Sequence, residues 1–369
     1  MQTNSCPSSS HSSFLKSCKF TGKFLRRKIS IGLVPVFNSK MYSRCNHVSY
    51  NNYLIINLLS LMNTYLKNQP PGKQFLAFLG LAAGFFLLNT AISSIFFNDL
   101  SEVLTDKTLV ISAETVTKFK WAQLISSTII FILPALAFGY FSSPKMLPYI
   151  GLHKKYSIIL LILSIILLFA VQPFVSWLGA LNARINFGSM QKELQNMEAM
   201  YTRAMETFLR MKTPADLAIN LFIMALLPAI GEELFFRGSL QKAMLRMSNK
   251  PWLAILLSSL VFALLHGTFF KIVPIFVLGL LLGTLYHVTR NLWYNIGIHF
   301  LNNGFAVLAV YYGNKSEFLK KLSDDKLTVP IYIALLSALT AVTIIYLIKR
   351  KSDEVMPAYI TDDDNEMIA

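Results

Sequence analysis

Charged residues are scarce in this chain, at 14% of 369, where a soluble domain carries about 25%. That scarcity excludes a disordered protein and a coiled coil. It also excludes a nucleic-acid-binding domain, despite a net charge of +15. Cysteine is nearly absent. Cys6, Cys18 and Cys45 cannot make a disulfide framework, and nothing after them depends on redox state. Acidic residues are missing from positions 1–61 altogether. Several catalytic signatures are absent too: there is no His-Glu-x-x-His, no Gly-x-Gly-Asp and no Gly-x-Ser-x-Gly. What the chain has instead is apolar sequence, 54% of its residues, with a mean hydropathy of +0.50.

Positions 1–61 carry eight basic residues and are rich in Ser and Asn. Such a composition fits an organellar transit peptide. No clean amphipathic helix stands out in it, however. The preferred reading is a disordered leader, or sequence upstream of a true start at Met62. Positions 62–348 read as a transmembrane domain, and 349–369 as an acidic cytoplasmic tail.

A bilayer crossing needs about 20 apolar residues. Eight stretches are candidates: 75–97, 121–141, 157–178, 215–236, 252–267, 272–288, 292–313 and 329–348. The expected fold is therefore all-α, a polytopic bundle of about eight transmembrane helices. The fifth and sixth stretches are short and could form one re-entrant pair. Gly80–Gly84 and Gly279–Gly283 match the small-xxx-small packing pattern. The loops that would face inside with the N-terminus hold eleven basic residues and no acidic ones. The opposite loops hold thirteen basic and ten acidic residues over more than twice the length. Basic density therefore places both termini on the cytoplasmic side, and a bacterial cytoplasmic membrane is the expected location.

Ionisable residues within apolar spans are costly and mark function by default. Three groups are conspicuous. In the first, Glu233 and Arg237 lie four apart and share a helix face, while Glu232 points about 100° away, toward a different neighbour. One carboxylate is thus paired with a built-in arginine. The other is left for general-base work. In the second, Phe262 and His266 share a face. In the third, His299 and Asn303 do so, with Asn302 beside them. Suppose the fourth helix continues to about Met247. Glu232 then lies about 22 Å from its inner end, and His266 about 21 Å from Trp252, at 1.5 Å per residue. His299, about 13 Å from Arg290 by the same rise, is near that depth. One cavity open to the inner side could gather all of them.

Glu232-Glu233-x-x-x-Arg237, Phe262-x-x-x-His266 and His299-x-x-x-Asn303 resemble the three motifs of the CPBP intramembrane proteases. That family includes the CAAX prenyl endopeptidases, bacteriocin-processing and self-immunity proteins, and the Abi proteins. The resemblance covers about residues 215–313. It implies that Glu232 activates the attacking water with help from His266. It implies that His299 and Asn303 stabilise the oxyanion, and that Glu233, Arg237 and Phe262 support the site. It also implies a membrane-embedded or lipid-anchored peptide as substrate. The family has been described both as metalloproteases and as glutamate proteases. Glu232, His266 and His299 would make a zinc set with an open position. With no carboxylate visible behind either histidine, a metal-free mechanism is preferred. The competing reading is a non-catalytic membrane protein, a transporter or an immunity or scaffold protein that has kept the motifs. A transporter should show internal repeats, and the two halves show no convincing similarity.

Overall fold

In the computed structural model, residues 65–105, 111–153, 156–313 and 329–355 are described. The leader at 1–61 and the tail beyond 355 lie outside them. The described residues form helices and no strand. In chain order, α1 is Pro71–Phe96, α2 Asp99–Thr105, α3 Ala113–Ser142, α4 Met146–Tyr149 and α5 Ile158–Asn182. They are followed by α6 at Gln191–Phe208, α7 at Pro214–Ser248, α8 at Pro251–Leu265 and α9 at Ile272–Thr289. The last two are α10, Leu292–Gly313, and α11, Ile331–Val355.

Each of the eight apolar stretches is helical, but the count of eight crossings is not reproduced. Among the described residues, six helices are long and apolar enough to cross a membrane: α1, α3, α5, α7, α9 and α11. Helix α8 has 15 residues, about 22 Å of rise, against a hydrocarbon core of about 30 Å. Helix α10 has 22 residues, but Asn295, His299, Asn302 and Asn303 dilute its apolarity. The chain is an integral, multi-pass membrane protein.

Local chemistry sets the helix ends. Thr213 caps α7 through a capping box with Asp216, and Pro214 occupies the first helical position, where its missing N–H costs nothing. Asn249 ends α7 with φ 52°, and Arg290 ends α9 with φ 53°. Helix α11 runs past its apolar part to Val355. Lys349–Asp353 at 3.0 Å and Lys351–Glu354 at 2.9 Å continue it about two turns beyond position 348.

Prolines inside the helices explain the irregular turns. A helix-interior proline removes one hydrogen bond and drives its ring at the carbonyl four residues back. Wide π turns precede two of them, Thr128–Ile132 before Pro134 and Leu221–Leu226 before Pro228. There the Leu133 N–H reaches the Thr128 carbonyl, and the Leu227 N–H the Phe222 carbonyl, both five residues back. The wider turn takes the chain around the ring. At Pro173 of α5 the solution differs. Ser337 of α11 inserts its hydroxyl, accepting from the Phe174 N–H at 3.2 Å and donating to the Ala170 carbonyl at 2.6 Å.

Two apolar clusters flank the functional residues. One gathers Phe78, Phe138, Phe235, Phe236 and Phe262 from α1, α3, α7 and α8. The other joins α5, α9, α10 and α11 around Leu167, Leu285, Ile298 and Ile348. Gly279 and Gly283 let α9 approach closely. A Cβ on Gly279 would meet Ser259 Cβ at 3.1 Å, and one on Gly283 would meet Ile255 Cγ2 at 3.0 Å. A Cβ on Gly80 or Gly84 would meet nothing within 4 Å among the described residues, so the first small-residue pair permits no close approach here.

Candidate active site

Glu233 and Arg237 are both fully buried, and Arg237 Nη1 donates to Glu233 Oε1 at 2.9 Å. The pair sits at mid-helix, not at a helix end, because α7 continues to Ser248. The turn from Glu233 to Gln241 is π-helical, a geometry that recurs at functional sites. Arg237 Nη2 donates to the Gly279 carbonyl at 3.2 Å, and its guanidinium lies 4.5 Å from the centre of the Phe262 ring. Phe262 also abuts His266 and His299, with ring centres 4.5 and 6.1 Å away. It is the apolar partition against which the charged groups are ordered.

His299 Nδ1–H donates to Glu233 Oε1 at 3.0 Å. Its Nε2 lies 3.8 Å from Glu232 Oε2. The two adjacent glutamates therefore address opposite nitrogens of one imidazole, rather than separate neighbours. The absence of a carboxylate behind either histidine, on which the metal-free preference leaned, is overturned by Glu233. Asn295 completes the set, donating through Nδ2 to Glu233 Oε2 at 3.1 Å and to the Leu282 carbonyl at 2.8 Å. Of these five hydrogen bonds, Arg237 to Glu233 stays within α7 and the other four run between α7, α9 and α10, which locks their register. Glu232 is 15% exposed and its Oε2 has no hydrogen-bond partner.

A cavity of about 170 Å³ adjoins these groups. His266, His299, Asn302 and Asn303 form its polar wall, and Leu168, Ile275, Leu278 and Leu281 part of its apolar one. His266 Nδ1–H donates to the Phe262 carbonyl at 2.7 Å. A carbonyl can only accept, so Nε2 of His266 remains an acceptor. Glu232 is not among the residues lining this cavity, and its Oε2 stands 3.8 Å from Nε2 of His299, which is.

Residues 214–305 match the family model described as type II CAAX prenyl endopeptidase Rce1-like. This is a protease family, and the match agrees with the motif resemblance. The Rce1-like segment starts at the capped end of α7 and closes within α10, so it contains Glu232, Glu233, Arg237, Phe262, His266, His299 and Asn303. No curated protein and no solved structure matches the chain.

Of the other site neighbours, Glu198, Tyr201 and Gln172 lie outside the Rce1-like segment. Thr268 Oγ1 donates to Glu198 Oε2 of α6 at 2.7 Å. Thr268 follows His266-Gly267, where φ +68° at Gly267 turns the chain. Tyr201 is on α6, one turn beyond Glu198. Burial pushes its phenol above the usual range, and the Glu198 and Glu232 carboxylates add to the shift. The non-spanning element touching the site thus comes from residues 179–214. On α5, Gln172 bonds Asn302. Asn295 carried a usable signal, since it lies four residues before His299 as Asn303 lies four after. Glu198, Tyr201 and Gln172 carried none, being remote in sequence.

Among the described residues, no three His, Cys, Asp or Glu side chains stand together as a metal-binding group, and His299 Nε2 faces a carboxylate oxygen.

Proposed function

We propose that this protein is an intramembrane endopeptidase that hydrolyses a peptide bond with water activated by Glu232. The observation that carries the reading is His299 held between Glu233 and Glu232 at the wall of an apolar cavity, within an Rce1-like segment.

In this reading, Glu232 takes a proton from water as the water oxygen attacks the carbonyl carbon of the scissile bond. His266 Nε2 accepts the other O–H and fixes the direction of attack. The carbonyl π pair moves to oxygen, and the oxyanion accepts hydrogen bonds from Asn303 Nδ2–H and His299 Nε2–H. Glu233 accepts from Nδ1–H behind the ring and so fixes the direction in which Nε2 points. The tetrahedral species then collapses, the C–N bond breaks, and protonated Glu232 delivers its proton to the leaving amine. One oxyanion donor is worth about 10²–10³ in rate.

The apolar wall supports a substrate with aliphatic side chains near the scissile bond, presented from the bilayer as a membrane-embedded or lipid-anchored chain. The test uses purified full-length protein in detergent with a panel of prenylated and unprenylated membrane peptides, read by mass spectrometry. One internal bond should be cut, yielding a new carboxylate and a new amine. Spectra unchanged by the protein would contradict the reading.

A further inference from the structure

Asn303 has a carbonyl and an amino group on one side chain, and only the amino group can hold an oxyanion. A lone asparagine at a cavity wall is indifferent to which end it presents. Here three linked amides share one direction, and in this structure it runs from Gln172 to Asn303. Gln172 Nε2 donates to Asn302 Oδ1 at 3.2 Å, and Asn302 Nδ2 donates to Asn303 Oδ1 at 3.3 Å. Each amide spends its acceptor on the one before and its donor on the one after. The carbonyl of Asn303 is thereby occupied, and its Nδ2 hydrogens are left for the cavity it lines.

Gln172 starts the chain, and its own placement follows from the break in α5. It immediately precedes Pro173, where the helix is opened and held by Ser337. Helix α5 also supplies Leu168 to the cavity, one turn before Gln172. It lies outside the Rce1-like segment. We infer that Gln172 is a positioning residue which, through Asn302, fixes the polarity of the Asn303 amide and so sets it as the oxyanion donor. This rests on the peptidase reading above.

The direction of the chain makes a specific demand. Replacing Gln172 with leucine removes the first donor and lets the two asparagines turn either way. Replacing it with glutamate supplies acceptors alone. Asn302 must then turn its Nδ2 toward the carboxylate and its Oδ1 toward Asn303, which reverses the chain and presents a carbonyl to the oxyanion.

The experiment is steady-state cleavage by purified full-length Gln172→Leu, Gln172→Glu, Asn303→Ala and the double variant Gln172→Leu/Asn303→Ala, beside wild type and Glu232→Gln. Gln172→Leu should lower kcat about tenfold, and Gln172→Glu should approach the roughly 10²–10³-fold loss of a missing oxyanion donor. KM should stay within about twofold for both. In the Asn303→Ala background, Gln172→Leu should cost nothing further, because residues acting through one group are not additive. If Gln172→Glu does not fold, the leucine variant and the double variant carry the test alone. Unchanged kcat, a loss confined to KM, or additive losses in the double variant would overturn the positioning role while leaving the peptidase intact. No cleavage by wild type would overturn the peptidase reading, and the role assigned to Gln172 with it.

Discussion

Glu233 accepts a hydrogen bond from His299 Nδ1 at 3.0 Å, joining two helices across 66 residues of chain. This contact connects the parts of the site. The carboxylate that neutralises Arg237 also orients the imidazole whose other nitrogen faces Glu232. Stability and chemistry therefore share one buried group.

Glu233→Gln should lower stability by about 3–5 kcal/mol, because it leaves the Arg237 charge buried without its counter-ion. Glu233→Leu with Arg237→Met should cost less than the two single changes together. Denaturation in mixed detergent, followed by tryptophan fluorescence, reads both. A Glu233→Gln protein as stable as wild type would contradict the assignment of a buried ion pair.

Ser337 fills the gap that Pro173 leaves in α5. Ser337→Ala strands the Phe174 N–H and the Ala170 carbonyl, and the loss should be about 1–3 kcal/mol. Thermal unfolding of the detergent-solubilised protein measures it. A melting temperature unaltered within error would mean that another group satisfies the backbone there.

The two small-residue pairs should respond in opposite ways. Gly279→Val presses on Ser259 and Phe262 and should cost about 1–3 kcal/mol by overpacking. Gly80→Val meets nothing within 4 Å and should leave the melting temperature unchanged or raised. Equal effects at the two sites would contradict the packing described between α8 and α9.

Helix α6 is fastened to the site by Thr268 and Glu198. Thr268→Val should raise amide hydrogen exchange across residues 191–208 while leaving exchange in α7 and α10 as it was. Slower or unchanged exchange in α6 would show that the strap does not hold the helix.

Much of this site was legible in the sequence, since helical spacing alone pairs Glu233 with Arg237 and puts Phe262 beside His266. The carboxylate behind His299 was not legible. Glu233 and His299 lie on different helices, and no local pattern says which neighbour a carboxylate's second lone pair will find. Spacing also misread Glu232, because the rotation between adjacent residues fixes the angle on α7 but not where α10 stands. The count of eight spans is not confirmed at α8 and α10 for a related reason. Apolar runs predict helices well, but α8 is short for the bilayer and α10 gives up apolarity to its functional residues. The π turns before Pro134 and Pro228 follow from proline chemistry once seen. At Pro173 a serine from α11 serves instead, and the sequence around that proline does not reveal the difference.

The most direct test of the central claim is the cleavage rate of Glu232→Gln against wild type, on one peptide substrate, in the presence of a metal chelator. Glutamine keeps the shape of the side chain and removes its ability to take a proton. The account predicts steady cleavage by wild type under chelation and none by Glu232→Gln, with matching melting temperatures. Cleavage by Glu232→Gln at a rate near that of wild type would contradict it.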